Sequence, residues 1–265
     1  MELAILFWFY KEPNVCENRL QLLRRYNPTL KIFGLFGGQA SEISTYQSQL
    51  GTYLDDFYAS PFGDHKTQYN LPWKWVNGDL MLLDWYNARG KKLIWDSSVV
   101  IQWDNIVFDS LLDQFPGIKK DEIYFFGLTE IDSFMEKSWG WISGARLPEY
   151  SEFLKYVKEQ YGYHDKPLVC FFALEVFPKI FFEHYLMVDN RELGAIEYRV
   201  PTYAKIFGVP FYERDLGQDI GIGMNMNGPI RYQQAVNESF IKDELLKKNG
   251  WRIFHPYSKL WCPSP

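Results

Sequence analysis

Cysteine is scarce in this sequence, and its placement indicates no cross-link. There are three cysteines, Cys16, Cys170 and Cys262. None belongs to a CxxC motif, and three cysteines cannot all pair within one chain. Neither a disulfide framework nor a zinc knuckle is therefore indicated, and we expect a reducing compartment, the cytoplasm.

Positive charge and long apolar runs are also lacking. The chain has 28 Lys and Arg against 33 Asp and Glu, a formal net charge of -5. Binding to a nucleic-acid backbone needs a clustered basic surface, so we expect no nucleic-acid partner. The first apolar run, Leu3–Tyr10, has no basic n-region or small-residue cleavage site and is far shorter than the roughly 20 residues of a membrane span. We therefore predict a soluble protein with no transmembrane segment, for which any membrane contact would be peripheral.

Aromatic residues, in contrast, are abundant. They make up 18% of the 265 residues, and 47% of the residues are hydrophobic. This is enough apolar surface for one sizeable core, so we predict a single domain over residues 1–265. Aromatic side chains with a polar edge suit a cleft for a flat polar ligand such as a sugar or a nucleotide base, although a large aromatic core has the same composition.

The first 36 residues alternate between strand and helix patterns. Leu3–Tyr10 is continuously apolar, as in a strand that is buried on both faces. Asn14 is a suitable N-cap for a helix that ends at Tyr26, and Lys31–Phe36 predicts a second strand before Gly37. Because a βαβ unit of this kind binds ligands at the carboxyl ends of its strands, we expect the chemistry there.

The rest of the chain continues this alternation. The patterns predict a loop over 58–75, helices over 75–89, 148–161, 176–187 and 239–249, and strands over 92–95, 99–103, 122–128, 167–174 and 251–254. Such an order is typical of an α/β sheet protein.

Polar residues follow one of these strands in the sequence Gln102-Trp103-Asp104. A carboxylate that ends an apolar strand lies at the edge of the sheet. Side chains two residues apart point to the same side, so Gln102 and Asp104 would face one site. The structural alternative for Asp104 is an Asx turn at the end of the strand.

With this motif after a βαβ unit and a helix, the chain resembles the GT-A glycosyltransferases, in which a strand after the nucleotide-binding region ends in a DxD-type motif. The resemblance implies an α/β fold with a mixed, mainly parallel central sheet flanked by helices. It implies a donor nucleotide-binding half, 1–104, and an acceptor-binding half, 105–265. The implied activity is transfer of a sugar from a nucleotide-diphosphate donor, with a UDP-sugar as the first expectation, to a hydroxyl of a glycan or other glycoconjugate.

The resemblance also implies a cofactor, Mn²⁺ or Mg²⁺, that holds the diphosphate of the donor. Asp104 would be one metal ligand, and His255, which follows a predicted strand near the end of the sequence, would be another. A surface turn is the alternative for His255. Gln102 departs from the family pattern, because it stands in place of a carboxylate and brings no charge to the metal.

Inverting GT-A enzymes use an acidic residue as general base. Glu175 follows a predicted buried strand at the entrance to a predicted helix and is our first candidate for this role. Glu183 on the same helix is the second candidate. The alternative for Glu175 is an ordinary acid in the first turn of a helix, favoured there by the helix dipole.

For the donor, the resemblance implies contacts near the ends of the first strands. Tyr10 could stack on the base, and a glycine pair permits close backbone approach or simply forms a turn. Asp79 would contact the donor sugar or ribose, with a solvated helix face as the alternative. The implied positions are Phe9, Tyr10, Lys11, Gly37, Gly38, Asp79, Gln102, Trp103 and Asp104.

Two more segments are candidates for the cleft. Trp139-Gly-Trp141 resembles an aromatic platform for an acceptor sugar, or a hydrophobic loop anchored to the core. The segment 221–228 lacks the GxGxxG spacing of a dinucleotide fold and is expected to form a lid loop over the donor.

Two other functions remain open at this point. One is a hydrolase in which Asp104 and Glu175 form a carboxylate pair that cleaves glycosidic or phosphate bonds. The other is a non-catalytic carbohydrate-binding protein. No Ser-His-Asp motif, P-loop or HExxH motif occurs in the sequence. Formation of a product from a sugar nucleotide distinguishes the three possibilities.

Overall fold

The computed structural model describes residues 1–63, 65–217, 228–231 and 234–262. Its strands are β1 Leu3–Phe9, β2 Lys31–Phe36, β3 Asp56–Ala59, β4 Ser97–Gln102, β5 Ile106–Val107, β6 Tyr124–Phe125, β7 Thr129–Glu130, β8 Leu168–Val169, β9 Leu174–Pro178 and β10 Ile253–Phe254. Its α-helices are α1 Pro13–Tyr26, α2 Ile43–Leu50, α3 Trp73–Ala88, α4 Leu111–Gln114, α5 Ser133–Ser138, α6 Leu147–Tyr161, α7 Lys179–Tyr185, α8 Ile196–Ile206 and α9 Glu238–Leu246.

Six strands form the central sheet, in the order β3-β2-β1-β4-β9-β6. β3, β2, β1 and β4 run parallel, whereas β9 runs antiparallel to both β4 and β6. The sheet is therefore mixed and mainly parallel, and helices cover both of its faces. The predicted α/β fold class is confirmed.

The side chains of β1 alternate between two hydrophobic cores. Leu6 and Trp8 pack with residues of α3 on one face of the sheet. Ile5, Phe7 and Phe9 pack with residues of α1 and α2 on the other face. A smaller third core joins β5, β10 and α9. Burial of β1 on both faces explains its continuous apolar sequence.

The first βαβ unit is confirmed, with one correction. Asn14 is not the N-cap of α1, because the helix already begins at Pro13 and Glu12 occupies the cap position. Proline is favourable there, since its fixed φ suits the first turn and its missing N–H would have no partner in the helix. Glu12 has a φ of 56°, in the left-handed region, so the chain turns sharply between the end of β1 and the helix.

Three predicted elements near β4 and β9 differ from the structure. Residues 92–95 form no strand; they follow a 3₁₀ turn over Gly90–Lys92 and lead into β4, which begins at Ser97. The predicted strand over 167–174 and helix over 176–187 are instead β8, β9 and the shorter α7. β-branched and aromatic residues at 176 and 177 favour a strand, which Pro178 ends.

Other predicted helices and strands are present, but their ends differ from the predicted ones. α3, α6 and α9 match predicted helices to within three residues at each end, whereas β6 covers only part of the predicted strand over 122–128. The sequence did not predict α2, β3 or α8. The lid predicted over 221–228 falls, except for its last residue, outside the described residues. Within the described ranges, no helix combines the length and apolar character that crossing a bilayer requires.

Candidate functional site

The carboxyl ends of β1, β2 and β4 meet at one edge of the sheet. The backbone N–H of Gly37 donates to the carbonyl of Phe9 at 2.8 Å, and that of Trp103 donates to the carbonyl of Trp8 at 2.9 Å. Tyr10 and the residues after β4 therefore lie side by side. This is the edge at which open α/β sheets bind ligands.

Two aromatic rings and two ammonium groups form a cluster at this edge, called here the aromatic–lysine cluster (Tyr10, Lys11, Lys74 and Trp103). The rings of Tyr10 and Trp103 meet edge to face, with centroids 6.1 Å apart. Lys11 Nζ lies 4.7 Å from the centroid of the Trp103 ring, and Lys74 Nζ lies 4.5 Å from that of Tyr10. Lys74 also donates to the carbonyl of Gly37 at 2.6 Å. Lys74 carries no signal in the sequence, because the cluster forms only when the fold brings α3 to the ends of two strands.

The hydroxyl of Tyr10 stays neutral in this environment. Burial raises its pKa, and the nearby charge of Asp104 raises it further. The phenol is therefore a hydrogen-bond donor over the whole physiological pH range.

Asp104 and His255, the two predicted metal ligands, face each other. Asp104 Oδ1 lies 3.6 Å from His255 Nε2, and no described group donates a hydrogen bond to it. His255 Nδ1 lies 3.1 Å from the carbonyl oxygen of Arg231, which can only accept, so Nδ1 carries a proton. In the neutral ring, Nε2 then has a lone pair aimed at a carboxylate oxygen. Such an arrangement is repulsive unless a cation or a second proton lies between the two atoms.

Backbone pairing holds these two residues in place. β5, which follows Asp104, pairs antiparallel with β10, which precedes His255. The N–H of Tyr257 also donates to the carbonyl of Asp104 at 2.8 Å. The positions of the carboxylate and the imidazole are therefore fixed by the main chain.

The donor set of this pair fits Mn²⁺ or Mg²⁺. Carboxylate oxygen suits both ions, and a transition-metal ion such as Mn²⁺ accepts an imidazole nitrogen more readily than Mg²⁺ does. Among the described residues, no three His, Cys, Asp or Glu side chains come together as a metal-binding group. An ion held here would keep most of its ligand positions for water and for oxygens of a diphosphate, as Mg²⁺ commonly does.

The side chain of Gln102 is tied to the connection between β8 and β9. Its Nε2 donates to the carbonyl of Phe172 at 2.7 Å. Asn105 closes the turn after β4, since its Oδ1 accepts from the N–H of Gln102 at 3.0 Å and its Nδ2 donates to the carbonyl of Ala173 at 3.0 Å. The side-chain hydrogen bonds that close the turn after β4 are thus made by Asn105. An Asn just after a strand end is a sequence signal for a turn closed by its side chain.

Three predicted donor contacts are covered by the protein itself. Phe9 belongs to the core on the α1 side of the sheet. Gly37 and Gly38 are buried, and a Cβ atom at Gly63 would lie 2.0 Å from the carbonyl oxygen of Gly38. The close approach that the glycine pair permits is therefore made by the chain around Gly63. Donor contact by these three residues stays a prediction.

Asp79 lies inside the protein, with its side chain 3% exposed. Its carboxylate pairs with Arg199 and accepts a hydrogen bond from the hydroxyl of Tyr185. The solvated helix face considered for Asp79 is therefore wrong. Both carboxylate oxygens already have protein partners, and contact with the donor stays a prediction.

Glu175 lies within β9 and not at the start of a helix, which corrects its predicted position. It pairs with Val100 of β4 and Phe125 of β6, and its side chain has no solvent exposure. Burial raises its pKa well above the usual range; the N–H of Leu174, which donates to Oε1, offsets part of the shift, and the charge of Glu197 adds to it. A carboxyl group in this state holds its proton more tightly than one in water.

Glu183 is exposed on α7, away from Asp104. α7 begins after Pro178, which pairs with Ser97 at the opposite edge of the sheet. Glu183 accepts a hydrogen bond from the hydroxyl of Tyr86 at 3.3 Å, near the end of α3. The structure does not bring Glu183 to the edge that carries the aromatic–lysine cluster, and its catalytic role stays a prediction.

An acid that the sequence analysis passed over, Glu197, lies in the first turn of α8. Burial raises its pKa to about 8, while hydrogen bonds from the N–H of Phe172 and the side chain of Trp141 act in the opposite direction. The carbonyl of Phe172 also accepts from Gln102, at the end of β4. Phe172 therefore links Glu197 to the strand end that precedes Asp104. Its Oε2 has no hydrogen-bond partner among the described residues.

Known proteins resemble this chain in structure alone. No known family matches the sequence, and no curated protein does. A cytidylyltransferase from Leptospira borgpetersenii serovar Hardjo-bovis aligns over 81% of this chain and 78% of its own, at 12% identity and a TM-score of 0.43. Mouse xyloside xylosyltransferase 1 aligns over 96% and 97%, at 9% identity and 0.44. The galactosyltransferase LgtC, in complex with donor and acceptor sugar analogues, aligns over 79% and 73%, at 11% identity and 0.42. Two of the three are glycosyltransferases, but likeness at this level does not define an activity.

Proposed function

We propose that the protein is a glycosyltransferase that moves a sugar from a nucleotide-diphosphate donor to a hydroxyl of a carbohydrate or glycoconjugate acceptor. The observation that carries this proposal is the pair Asp104 and His255 beside the aromatic–lysine cluster. It joins a metal-ligand pair, two cations and two aromatic rings at the edge where α/β sheets bind ligands.

Each part of a sugar nucleotide has a matching group at this edge. The ring of Tyr10 offers a face for the base. Lys11 offers an exposed ammonium group for the diphosphate. Asp104 and His255 would hold Mn²⁺ or Mg²⁺, which, when bound, neutralises charge on the leaving diphosphate. A UDP-sugar is the first donor to test, with a GDP-sugar next.

Glu197 is better placed than Glu175 or Glu183 to take the acceptor proton. In an inverting transfer, the acceptor oxygen bonds to the anomeric carbon, the bond from that carbon to the diphosphate breaks, and the acceptor proton passes to a base. Glu197 flanks the Phe172 backbone that also anchors Gln102, and Trp141 bonds to it from the proposed acceptor side. With a pKa of about 8, it becomes an effective base as the pH rises.

The test is product formation. The protein is incubated with UDP-, GDP-, CDP- and dTDP-sugars, a panel of mono- and disaccharides, and Mn²⁺ or EDTA, and products are identified by mass spectrometry. A glycosylated product that needs both the nucleotide and the metal supports the proposal. Cleavage of glycosides or phosphate esters without a nucleotide would favour the hydrolase. Saccharide binding without product, unaffected by Asp104→Ala, would favour a binding protein.

A further inference from the structure

The side chain of a buried arginine outside the proposed donor site has no hydrogen-bond partner in the part of the chain that the structure describes. Arg146, at the start of α6, is 5% exposed. Its Nε, Nη1 and Nη2 atoms all lack an acceptor among the described residues. The guanidinium lies between two aromatic rings, 4.7 Å from the centroid of Tyr69 and 4.4 Å from that of Trp141.

This environment leaves most of the binding capacity of the guanidinium unused. Cation–π attraction to two aromatic rings offsets part of the free-energy cost of removing the guanidinium from water. The rings, however, accept hydrogen bonds from none of its five N–H donors. Buried polar groups in proteins are nearly always hydrogen-bonded, so a charged group without an acceptor points to a ligand that supplies one.

Arg146 lines a cavity large enough for a small saccharide. The cavity has a volume of about 650 Å³ and lies between the loop before α3, the first turns of α3 and the start of α6. Tyr69 belongs to this loop and is partly exposed, and its hydroxyl lies 3.4 Å from the carbonyl of Ala145. Pockets for small ligands commonly have volumes of about 300–1,000 Å³.

The charges around the cavity favour a carboxylate over a phosphate. The planar guanidinium matches a carboxylate in a two-point hydrogen-bonded pair. Glu149 and Glu192 line the same cavity and offset the charges of Arg146 and Lys66, so a singly charged carboxylate fits this balance better than a doubly charged phosphate. Tyr69 and Trp73 also line the cavity, and aromatic rings of this kind suit the apolar face of a sugar ring.

The geometry points to this cavity as a binding site for an acidic saccharide, with Arg146 as the anchor for the carboxylate of a uronic acid residue. Trp141 connects the site to the proposed chemistry, because it contacts Arg146 and also bonds to Glu197. An acidic saccharide held here would serve as the acceptor. Binding itself does not depend on the donor proposal.

The test measures binding of D-glucuronate to the full chain, without nucleotide or metal, by isothermal titration calorimetry. D-glucuronamide, which has the same ring without the charge, is the matched ligand. We expect glucuronate to bind at least tenfold more tightly than glucuronamide, since a charge-assisted pair is lost in the amide. Arg146→Gln should reduce glucuronate affinity at least tenfold, and Arg146→Lys should recover only part of it. Arg25→Gln, a change of an exposed arginine on α1, should leave it unchanged.

Every outcome of this experiment decides the proposal. Equal binding of the two ligands by the unmodified protein would overturn it without any variant, so a poorly folding Arg146→Gln chain does not prevent a decision. Tighter binding of inorganic phosphate than of glucuronate would overturn the choice of a carboxylate. Equal glucuronate binding by Arg146→Gln and Arg25→Gln would place the site elsewhere. Failure of the sugar-nucleotide assay affects none of these measurements.

Discussion

Arg199 makes a two-point ion pair with Asp79 in the interior of the protein. Its Nη2 lies 2.5 Å from Oδ1 and its Nε 3.1 Å from Oδ2. The hydroxyl of Tyr185 donates to the same Oδ2, and Arg199 Nη1 donates to Asn77 Oδ1, at the non-helical residue inside α3. One charged group therefore ties α3, α7 and α8 together.

Removing the charge of Asp79 should destabilise the fold. Asp79→Asn leaves Arg199 as a buried cation without its counter-ion, and breaking one side of such a pair typically costs about 3–5 kcal/mol. The free energy of unfolding, measured by urea titration, should fall by this amount. Glu183→Gln, at an exposed position, should change it by less than about 0.5 kcal/mol. A stable Asp79→Asn chain that no longer binds the sugar nucleotide would instead assign Asp79 to the donor site.

Lys11 should contribute to nucleotide affinity. Its ammonium group is exposed beside Trp103, where a diphosphate would gain one favourable charge contact. We expect Lys11→Met to raise the dissociation constant of the preferred nucleoside diphosphate by roughly three- to tenfold, with a smaller effect at high salt. Lys92→Met, an equally exposed change at the opposite edge of the sheet, is the matched control for calorimetry. Equal losses in both variants would remove Lys11 from the site.

Glu197 should make stability depend on pH. Its pKa rises from an ordinary 4.5 to about 8 in the folded chain. Below about pH 4.5 both states hold the proton. Between 4.5 and 8 only the unfolded state releases it, so the free energy of unfolding falls by up to about 1.4 kcal/mol per pH unit. Above pH 8 the contribution is constant.

Glu197→Gln removes this dependence. The free energy of unfolding of the variant, minus that of the unmodified protein, should therefore rise between pH 5 and pH 8. Glu159→Gln, an exposed change on α6, should give a flat difference over the same range. A flat difference for Glu197→Gln as well would mean that its carboxyl titrates as in water.

The same residue should control the rate of transfer. If Glu197 takes the acceptor proton, kcat rises with pH through about 8, and Glu197→Gln lowers kcat by about 10²-fold or more with no such rise. Loss of transfer in Glu175→Gln, with Glu197→Gln still active, would return the role of base to Glu175.

The sequence predicted those helices and strands whose hydrophobic pattern is visible in residues close together in the sequence. β1 is apolar throughout because both of its faces are buried, and α6 has a regular helical pattern. α8 gave no such signal, since its cap position is Ala195 without a side-chain bond and Pro201 lies inside it. Without a signal for α8, the sequence pattern favours Glu175 as the acid at the start of a helix, whereas the antiparallel β9 buries it and Glu197 holds that position in α8.

For the candidate site, the sequence predicted which residues take part but not which of them contact one another. Asp104 and His255 were chosen by resemblance, but their proximity depends on the pairing of two-residue strands, which no periodicity can reveal. Arg146 lies between rings that are contributed by separate loops, so its isolation from hydrogen-bond acceptors exists only in the folded chain.

If Asp104 and His255 hold a metal ion for a donor diphosphate, thermal unfolding with UDP and GDP, each with Mn²⁺ or EDTA, will depend on that ion. A ligand that binds only the folded chain adds about 2.7 kcal/mol at 100 times its Kd. We predict that one nucleotide raises Tm only when Mn²⁺ is present, that Asp104→Asn and His255→Ala abolish this rise, and that the exposed changes Asp113→Asn and His164→Ala keep it. A rise that persists in EDTA, or in Asp104→Asn with Mn²⁺, would contradict the account.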